Sequence, residues 1–278
     1  RVSTSILEQK KINYELVNYA DVETNWEKIL IKKYEIKIWI NDRLNTEKTH
    51  AKNVINNQIP VITFDDKGSG AELADINFGG LEFENITNLK GKKVFIGVKY
   101  LILNSEINNY KRIRKNQDNI LVTLGGSDTY GTTILVIKIL KALNKKATVI
   151  TGPSFKHTRE LNEICTDNFI IKTSVPSLIH EFYNYDLAIT GGGITPFEAN
   201  ASGLPCIIVA SEIHEISNGT FLEKTGSSIF AGYYKEINKN IFEKELNISN
   251  MSKIGIEKIK TNAVENIYLE IKSCIKQG

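Results

Sequence analysis

The stretch Asp186-Leu187-Ala188-Ile189-Thr190-Gly191-Gly192-Gly193-Ile194-Thr195-Pro196-Phe197-Glu198-Ala199 decides the reading of the chain. Asp186–Thr190 is a short, nearly continuous apolar run, as a strand buried on both faces requires. Three glycines follow, and then Pro196, which suits the first turn of a helix. The helix runs over Pro196–Ser202, and a second apolar run, Pro205–Val209, closes a strand–helix–strand unit. Such units build parallel sheets with helices on both faces. A glycine turn entering a helix leaves backbone N–H groups undonated, which is a phosphate-binding arrangement. A purely structural glycine turn is the alternative. Glu198 falls near the anion so placed. Carboxylates make poor phosphate neighbours but good acceptors for ribose hydroxyls; the plainer role is a first-turn dipole partner.

The same alternation extends to both sides. Ile120–Leu124, Ala147–Ile150 and Phe169–Ile171 read as strands; Thr132–Leu143, Thr158–Cys165 and Pro176–Asn184 read as helices. Earlier, Ile36–Asn41, Val61–Phe64 and Lys93–Ile96 read as strands, Thr46–Asn57 as a helix, Thr4–Lys11 as a helix opening and Tyr14–Val17 as a short strand. Asn108–Asn119 is polar without apolar periodicity and reads as an interdomain linker. From Asn250 to Lys276, apolar residues recur at helical spacing, giving one or two amphipathic helices. The expected fold class is α/β with two Rossmann-like domains, 1–112 and 113–278. The first domain lacks its leading strand, helix and strand, which are expected upstream of Arg1.

Two further turns sit at strand ends. Leu124-Gly125-Gly126-Ser127-Asp128 offers paired glycines and a hydroxyl to an anion; an ordinary tight turn is the alternative. It matches neither GxGxxG nor a Walker loop. The third, Val209–Gly219, is polar throughout and carries Asn218 and His214, the latter read as a general acid/base or a sugar contact, with a solvated loop histidine as the plainer alternative.

The 278 residues suit two domains, and 41% hydrophobic with 24% charged residues excludes wholesale disorder. Lys+Arg 35 against Asp+Glu 32 leaves +3, scattered rather than gathered in a basic stripe, so no nucleic acid is expected as partner. No apolar stretch is long enough for a transmembrane segment. The three cysteines, Cys165, Cys206 and Cys274, have no metal spacing and fit reduced thiols of a cytoplasmic protein. No carboxylate pair has metal spacing, so neither metal nor cofactor is expected.

Gly-Gly-Ser-Asp at 125–128, followed by Gly191-Gly192-Gly193, Glu198-Ala199 and Gly203-Leu204-Pro205, resembles the C-terminal half of GT-B-fold nucleotide-sugar enzymes. It is closer to the UDP-sugar hydrolase of pseudaminic acid biosynthesis and its relatives, the spore-coat polysaccharide biosynthesis proteins. Phe64-Asp65-Asp66, Ala74-Asp75-Ile76-Asn77 and Gly97-Val98-Lys99-Tyr100 match segments of that family's first domain. The family's glycine–histidine loop has no counterpart here, its Asp-x-Tyr segment is matched only at Asp42, and its Asn-Gln reads Asn218-Gly219. The resemblance implies a GT-B-like fold and a UDP-sugar substrate, with hydrolysis at the anomeric carbon. Transfer of the sugar to a sugar or lipid acceptor, and non-catalytic binding of the nucleotide sugar, are the alternatives. The diphosphate is expected on Gly125, Gly126, Ser127 and the turn Gly192, Gly193, Ile194 and Thr195. The ribose is expected at Glu198, the uracil at Thr173, Ser174 and Val175, and the sugar at Asn218. His214, Asp42 and Asp65 are the candidates for proton transfer.

Overall fold

In the computed structural model, which describes residues 2–21, 24–81 and 88–275, the chain forms two compact α/β units. The first holds the described residues up to 79, then 88–95 and 271–275; the second holds 80–81 and 96–270.

The first unit opens with α1 (Val2–Gln9) and α2 (Trp26–Tyr34), followed by β1 (Trp39–Asp42), α3 (Lys48–Ile55), β2 (Val61–Phe64), β3 (Ile76–Gly79) and β4 (Lys93–Ile96). The sheet order is β1-β2-β3-β4, and β1, β2 and β3 pair in parallel. Ile31, Val54, Val61 and Ala74 form a small buried cluster. Asn25 caps α2 by accepting from the Lys28 N–H. Tyr14–Val17, expected as a strand, has no strand structure. β3 escapes the sequence reading because Asn77 and Gly79 break its apolar run, yet Asn77 is fully buried.

The second unit contains β5 (Ile120–Thr123), α4 (Thr132–Ala142), β6 (Ala147–Thr151), α5 (Thr158–Ile164), β7 (Phe169–Thr173), α6 (Leu178–Glu181), β8 (Leu187–Thr190), α7 (Thr195–Ala201), β9 (Cys206–Ala210), α8 (Glu215–Thr225), β10 (Ser228–Tyr233), α9 (Ile248–Lys258) and α10 (Ala263–Ile275) up to residue 270. Its strands lie in the order β10-β9-β8-β5-β6-β7, and each adjacent pair is parallel. The side chains alternate between two cores. Ile120, Val122, Ile189 and Ile207 enter one; Leu121, Ala188, Cys206 and Ile208 enter the other. This is the double burial that apolar strands imply.

The expected boundary at residue 112 moves up the chain. Leu101, Leu103 and Ile107 pack with Ile179, Phe182 and Phe197 in the second unit's core. Asn108–Asn119, expected as a linker, is part of that unit too. Arg114 is fully buried and donates to the carbonyls of Phe182, Arg112, Tyr185 and Ser202. Arg112 bonds Tyr183 and Tyr185 and pairs with Asp186 at 2.9 Å. A polar segment without periodicity is tethered here by guanidinium–carbonyl bonds, which leave no mark on apolar patterning. Among the described residues, no helix is long and apolar enough to cross a membrane.

Candidate functional site

The chain leaves β5 for β6 on one side of the sheet and β8 for β9 on the other. β5 and β8 are neighbours, so the sheet's topological switch lies between them, where open α/β sheets bind ligands. The first two glycine turns follow these two strands. A chamber of about 240 Å³ is lined by Gly125, Gly126, Ser127, Gly193 and Thr195, with Tyr130, Ser211, Glu212 and Glu215. A second, of about 220 Å³, shares Gly125, Gly126 and Thr195 and continues to Ser174 and Val175. The shared lining makes them one groove, within the size range of ligand pockets.

Each turn is braced from outside the groove. A Cβ on Gly152 would stand 2.4 Å from Gly126 Cα, so only glycine lets the loop after β6 press against the first turn. The Ser154 N–H then donates to the Gly126 carbonyl. Asp128 spends both carboxylate oxygens on α4, accepting from the Thr132 and Thr133 N–H groups at 2.8 Å each. A Cβ on Gly192 would meet Glu215 Cβ at 2.6 Å. Glu215 accepts from the Ser211 and Glu212 N–H groups. Thr132 Oγ1 lies 3.0 Å from Ser211 Oγ, and the neighbouring Glu212 carboxylate pushes the Tyr130 pKa up. Asp128 is thus engaged through both oxygens and Glu215 through one. Among the described residues, the N–H groups of Gly126, Ser127, Gly192 and Gly193 have no acceptor.

Not all the expected residues meet. Thr173 ends β7, paired with Thr151, and lines neither chamber. Nor do Gly192, Ile194, Glu198, His214 and Asn218. Glu198 is half-buried on α7, one turn beyond Thr195, and spacing of three residues puts both on one helix face. Its carboxylate has no partner among the described residues, and burial pushes its pKa up. Asn218, expected at a sugar, is buried and donates to the Gly192 carbonyl at 2.6 Å. It therefore holds the second turn in place. His214 is exposed at the start of α8.

Asp42 and Asp65 belong to the first unit, at the ends of adjacent strands β1 and β2. Asp42 is exposed; Asp65 is half-buried with φ 48°. Asp66 is fully buried and structural, accepting from Thr46 N–H at 3.0 Å and Gly68 N–H at 2.8 Å. Asn77 donates to the Asp66 and Lys90 carbonyls. Among the described residues, no group of three or more His, Cys, Asp and Glu could hold a metal ion.

The sequence reading missed Gly152 and Glu215, whose signals are tertiary. It also missed α8 altogether, taking its first residues as part of the polar turn: that helix buries only Asn218, Gly219 and Leu222, too little for a periodic signal.

No protein-family model matches the chain. It is 28% identical over 263 residues to an uncharacterised protein of Methanocaldococcus jannaschii, covering 81% of this chain and 54% of that protein. It is 24% identical over 190 residues to the spore coat polysaccharide biosynthesis protein SpsG of Bacillus subtilis, covering 62% of this chain and 55% of SpsG. The chain is thus similar in sequence to SpsG over 190 residues. It spans about half the length of both relatives. Among solved structures, MurG of Acinetobacter baumannii matches with TM-score 0.68 and 13% identity, covering 98% of this chain and 88% of MurG. HepE of Anabaena, in complex with UDP and glucose, matches with TM-score 0.60 and 12% identity over 97% of this chain and 88% of HepE. The spinosyn rhamnosyltransferase SpnG, complexed with thymidine diphosphate, matches at 0.52 with 13% identity over 90% and 78%. These likenesses carry the fold, which is GT-B-like.

Proposed function

We propose that the chain is a nucleotide-sugar enzyme of surface-polysaccharide or nonulosonic-acid biosynthesis, taking a UDP-sugar and hydrolysing it at the anomeric carbon. The observation that carries this is the groove at the β5/β8 switch, where two glycine turns bring undonated N–H groups together while Asp128 spends both carboxylate oxygens, and Glu215 one of them, on backbone N–H groups. That wall suits a diphosphate. Gly125, Gly126, Ser127, Gly193 and Thr195 receive the phosphates. Gly192 and Ile194 complete the turn's backbone, Glu198 accepts from the ribose hydroxyls, and the base lies against Ser174 and Val175 beyond Thr173. Water attacks the anomeric carbon, its C–O bond to the diphosphate breaks, and UDP leaves with the electron pair. The turns' N–H groups stabilise the charge on the departing group. His214, exposed at the start of α8 in the same unit, is the candidate to take the proton of the attacking water.

A second reading passes the sugar to a hydroxyl of a sugar or lipid acceptor; the likeness to the rhamnosyltransferase SpnG favours it, and the nucleotide contacts are the same. Incubating the chain with UDP-sugars, with and without acceptor alcohols, and following UDP release decides between them. Release without acceptor supports hydrolysis, and release that requires acceptor supports transfer. UDP binding without release in either case would leave a binding protein. Calorimetry that finds no UDP affinity would overturn the nucleotide reading itself.

A further inference from the structure

Two buried oxygens of the first unit, Asp66 Oδ2 and Asn77 Oδ1, have no hydrogen-bond partner among the described residues. Both side chains are fully buried. Asp66 follows β2 and Asn77 lies on β3, and these are the interior strands of the sheet β1-β2-β3-β4.

The other ends of both side chains are engaged. Asp66 Oδ1 accepts from the Thr46 and Gly68 N–H groups at 3.0 and 2.8 Å. The Asn77 amide nitrogen donates to the Asp66 and Lys90 carbonyls, each at 2.8 Å. Two carbonyls at one end of the amide fix that end as nitrogen, so the unpartnered end is oxygen. The loop after β2 is clipped to the loop after β1: the Lys67 N–H donates to the Leu44 carbonyl, and the Gly70 N–H to the Thr46 carbonyl. A Cβ on Gly68 would stand 2.4 Å from the Thr46 backbone and 2.6 Å from Asn45 Oδ1, so glycine alone permits this approach. The two oxygens are held by bonds at the far side of their own groups and cannot turn away to find donors.

Both unpartnered atoms are acceptors, so what completes them is electropositive. A water brings two hydrogens but no charge. The Asp66 carboxylate is buried with no Lys, Arg or His paired to it among the described residues. Buried charges are retained where they are paired or coordinate a metal. One carboxylate beside neutral amide and carbonyl oxygens, with no sulfur or imidazole, is a donor set for a hard cation. A single negative charge is balanced by a single positive one, whereas a divalent ion leaves the interior positive.

We propose that Asp66 Oδ2 and Asn77 Oδ1 bind a monovalent alkali cation, which ties the loop after β2 to β3. The proposal rests on the first unit alone and is independent of the nucleotide reading.

Trp26 and Trp39, the chain's only two tryptophans, both belong to this unit, so their emission follows its unfolding. Urea denaturation of the 278-residue chain is compared in choline, sodium, potassium and calcium chlorides at equal ionic strength, which holds screening constant. Sodium or potassium is expected to raise the midpoint above that in choline, and to keep raising it with the logarithm of its concentration as choline is replaced. The more effective of the two identifies the ion. Asp66→Asn keeps the size and removes the charge, so its midpoints are expected to coincide in all four salts. In choline this variant is expected to be at least as stable as the parent, whose carboxylate is uncompensated there; a merely structural Asp66 gives the opposite sign. Should Asp66→Asn not fold, the parent's four curves decide alone. Coincident parent midpoints in choline, sodium and potassium assign the two oxygens to a bound water and overturn the proposal. An equal alkali effect in Asp66→Asn, or a larger rise in calcium than in either alkali salt, overturns it as well.

Discussion

The Asn218 side-chain amide donates to the Gly192 carbonyl at 2.6 Å, tying the first turns of α8 to the glycine turn after β8. Both partners are buried. Asn218→Ala leaves that carbonyl without its donor, which costs about 1–3 kcal/mol. Urea denaturation is expected to show this loss, and calorimetry a lower UDP affinity, because the turn's N–H groups lose their fixed direction. Asn218→Asp, which keeps the size but cannot donate, is expected to lose as much. A variant with unchanged stability would remove Asn218 from the set of residues that position the turn.

Gly152 gives a second test of the same groove from the opposite side. A Cβ there must displace the Gly126 backbone, 2.4 Å away, and backbone cannot swing aside as a flexible side chain can. Gly152→Ala is expected to weaken UDP binding by tenfold or more, about 1.4 kcal/mol, although residue 152 is not among the residues assigned to UDP. Unaltered affinity would mean that the Gly126 turn does not carry phosphate.

Glu198 links binding to pH. Burial raises its folded-state pKa above the ordinary value of 4.5, so the folded protein holds this proton longer than the unfolded chain does. Stability is therefore lost as pH rises from the ordinary value through the raised one, and above that window the whole cost is present. Glu198→Gln is expected to be more stable than the parent at neutral pH and equal to it in acid. The same variant is expected to bind UDP more weakly by about 1.5–3 kcal/mol, since ribose hydroxyls lose an ionised acceptor. Parallel thermal melts and titrations check both signs. Unchanged UDP affinity would withdraw the ribose assignment.

The strands β5, β8 and β9 were legible because their cores are apolar on both faces and glycine or proline bounds them. Gly125, Gly126 and Gly193 could be found for the same reason: a turn at a strand end is a local pattern. Gly152, Glu215 and Asn218 could not be placed, because each acts on a residue far away in sequence and none stands in a periodic run. Ser228–Tyr233 and Ile76–Gly79 contain glycine, and Asn77 or Ser228 interrupts the apolar signal. Their strand state comes from neighbours, as with β10 against β9. Tyr14–Val17 is the converse, an apolar run with strand propensity and no pairing partner among the described residues. Asp66 and Asn77, separate in sequence, come together only when β2 and β3 pair.

Arg114 and Lys115 separate the linker reading from the structure. In a solvated linker the two neighbouring cations would be interchangeable. In the folded chain Arg114 is fully buried, donating at 2.8 Å to the carbonyls of Phe182 and Arg112, whereas Lys115 is exposed. Arg114→Met keeps the length and apolar stem but leaves several carbonyls unpaired, so a loss of about 3 kcal/mol or more is expected. Arg114→Lys is expected to recover little, because a single ammonium cannot reproduce the planar fork. Lys115→Ala is expected to stay within about 0.5 kcal/mol of the parent. Urea titrations of the three variants make the comparison. Equal, small effects at both positions would return 108–119 to the status of a linker, and a large effect confined to Arg114 identifies the segment as part of the second unit's core.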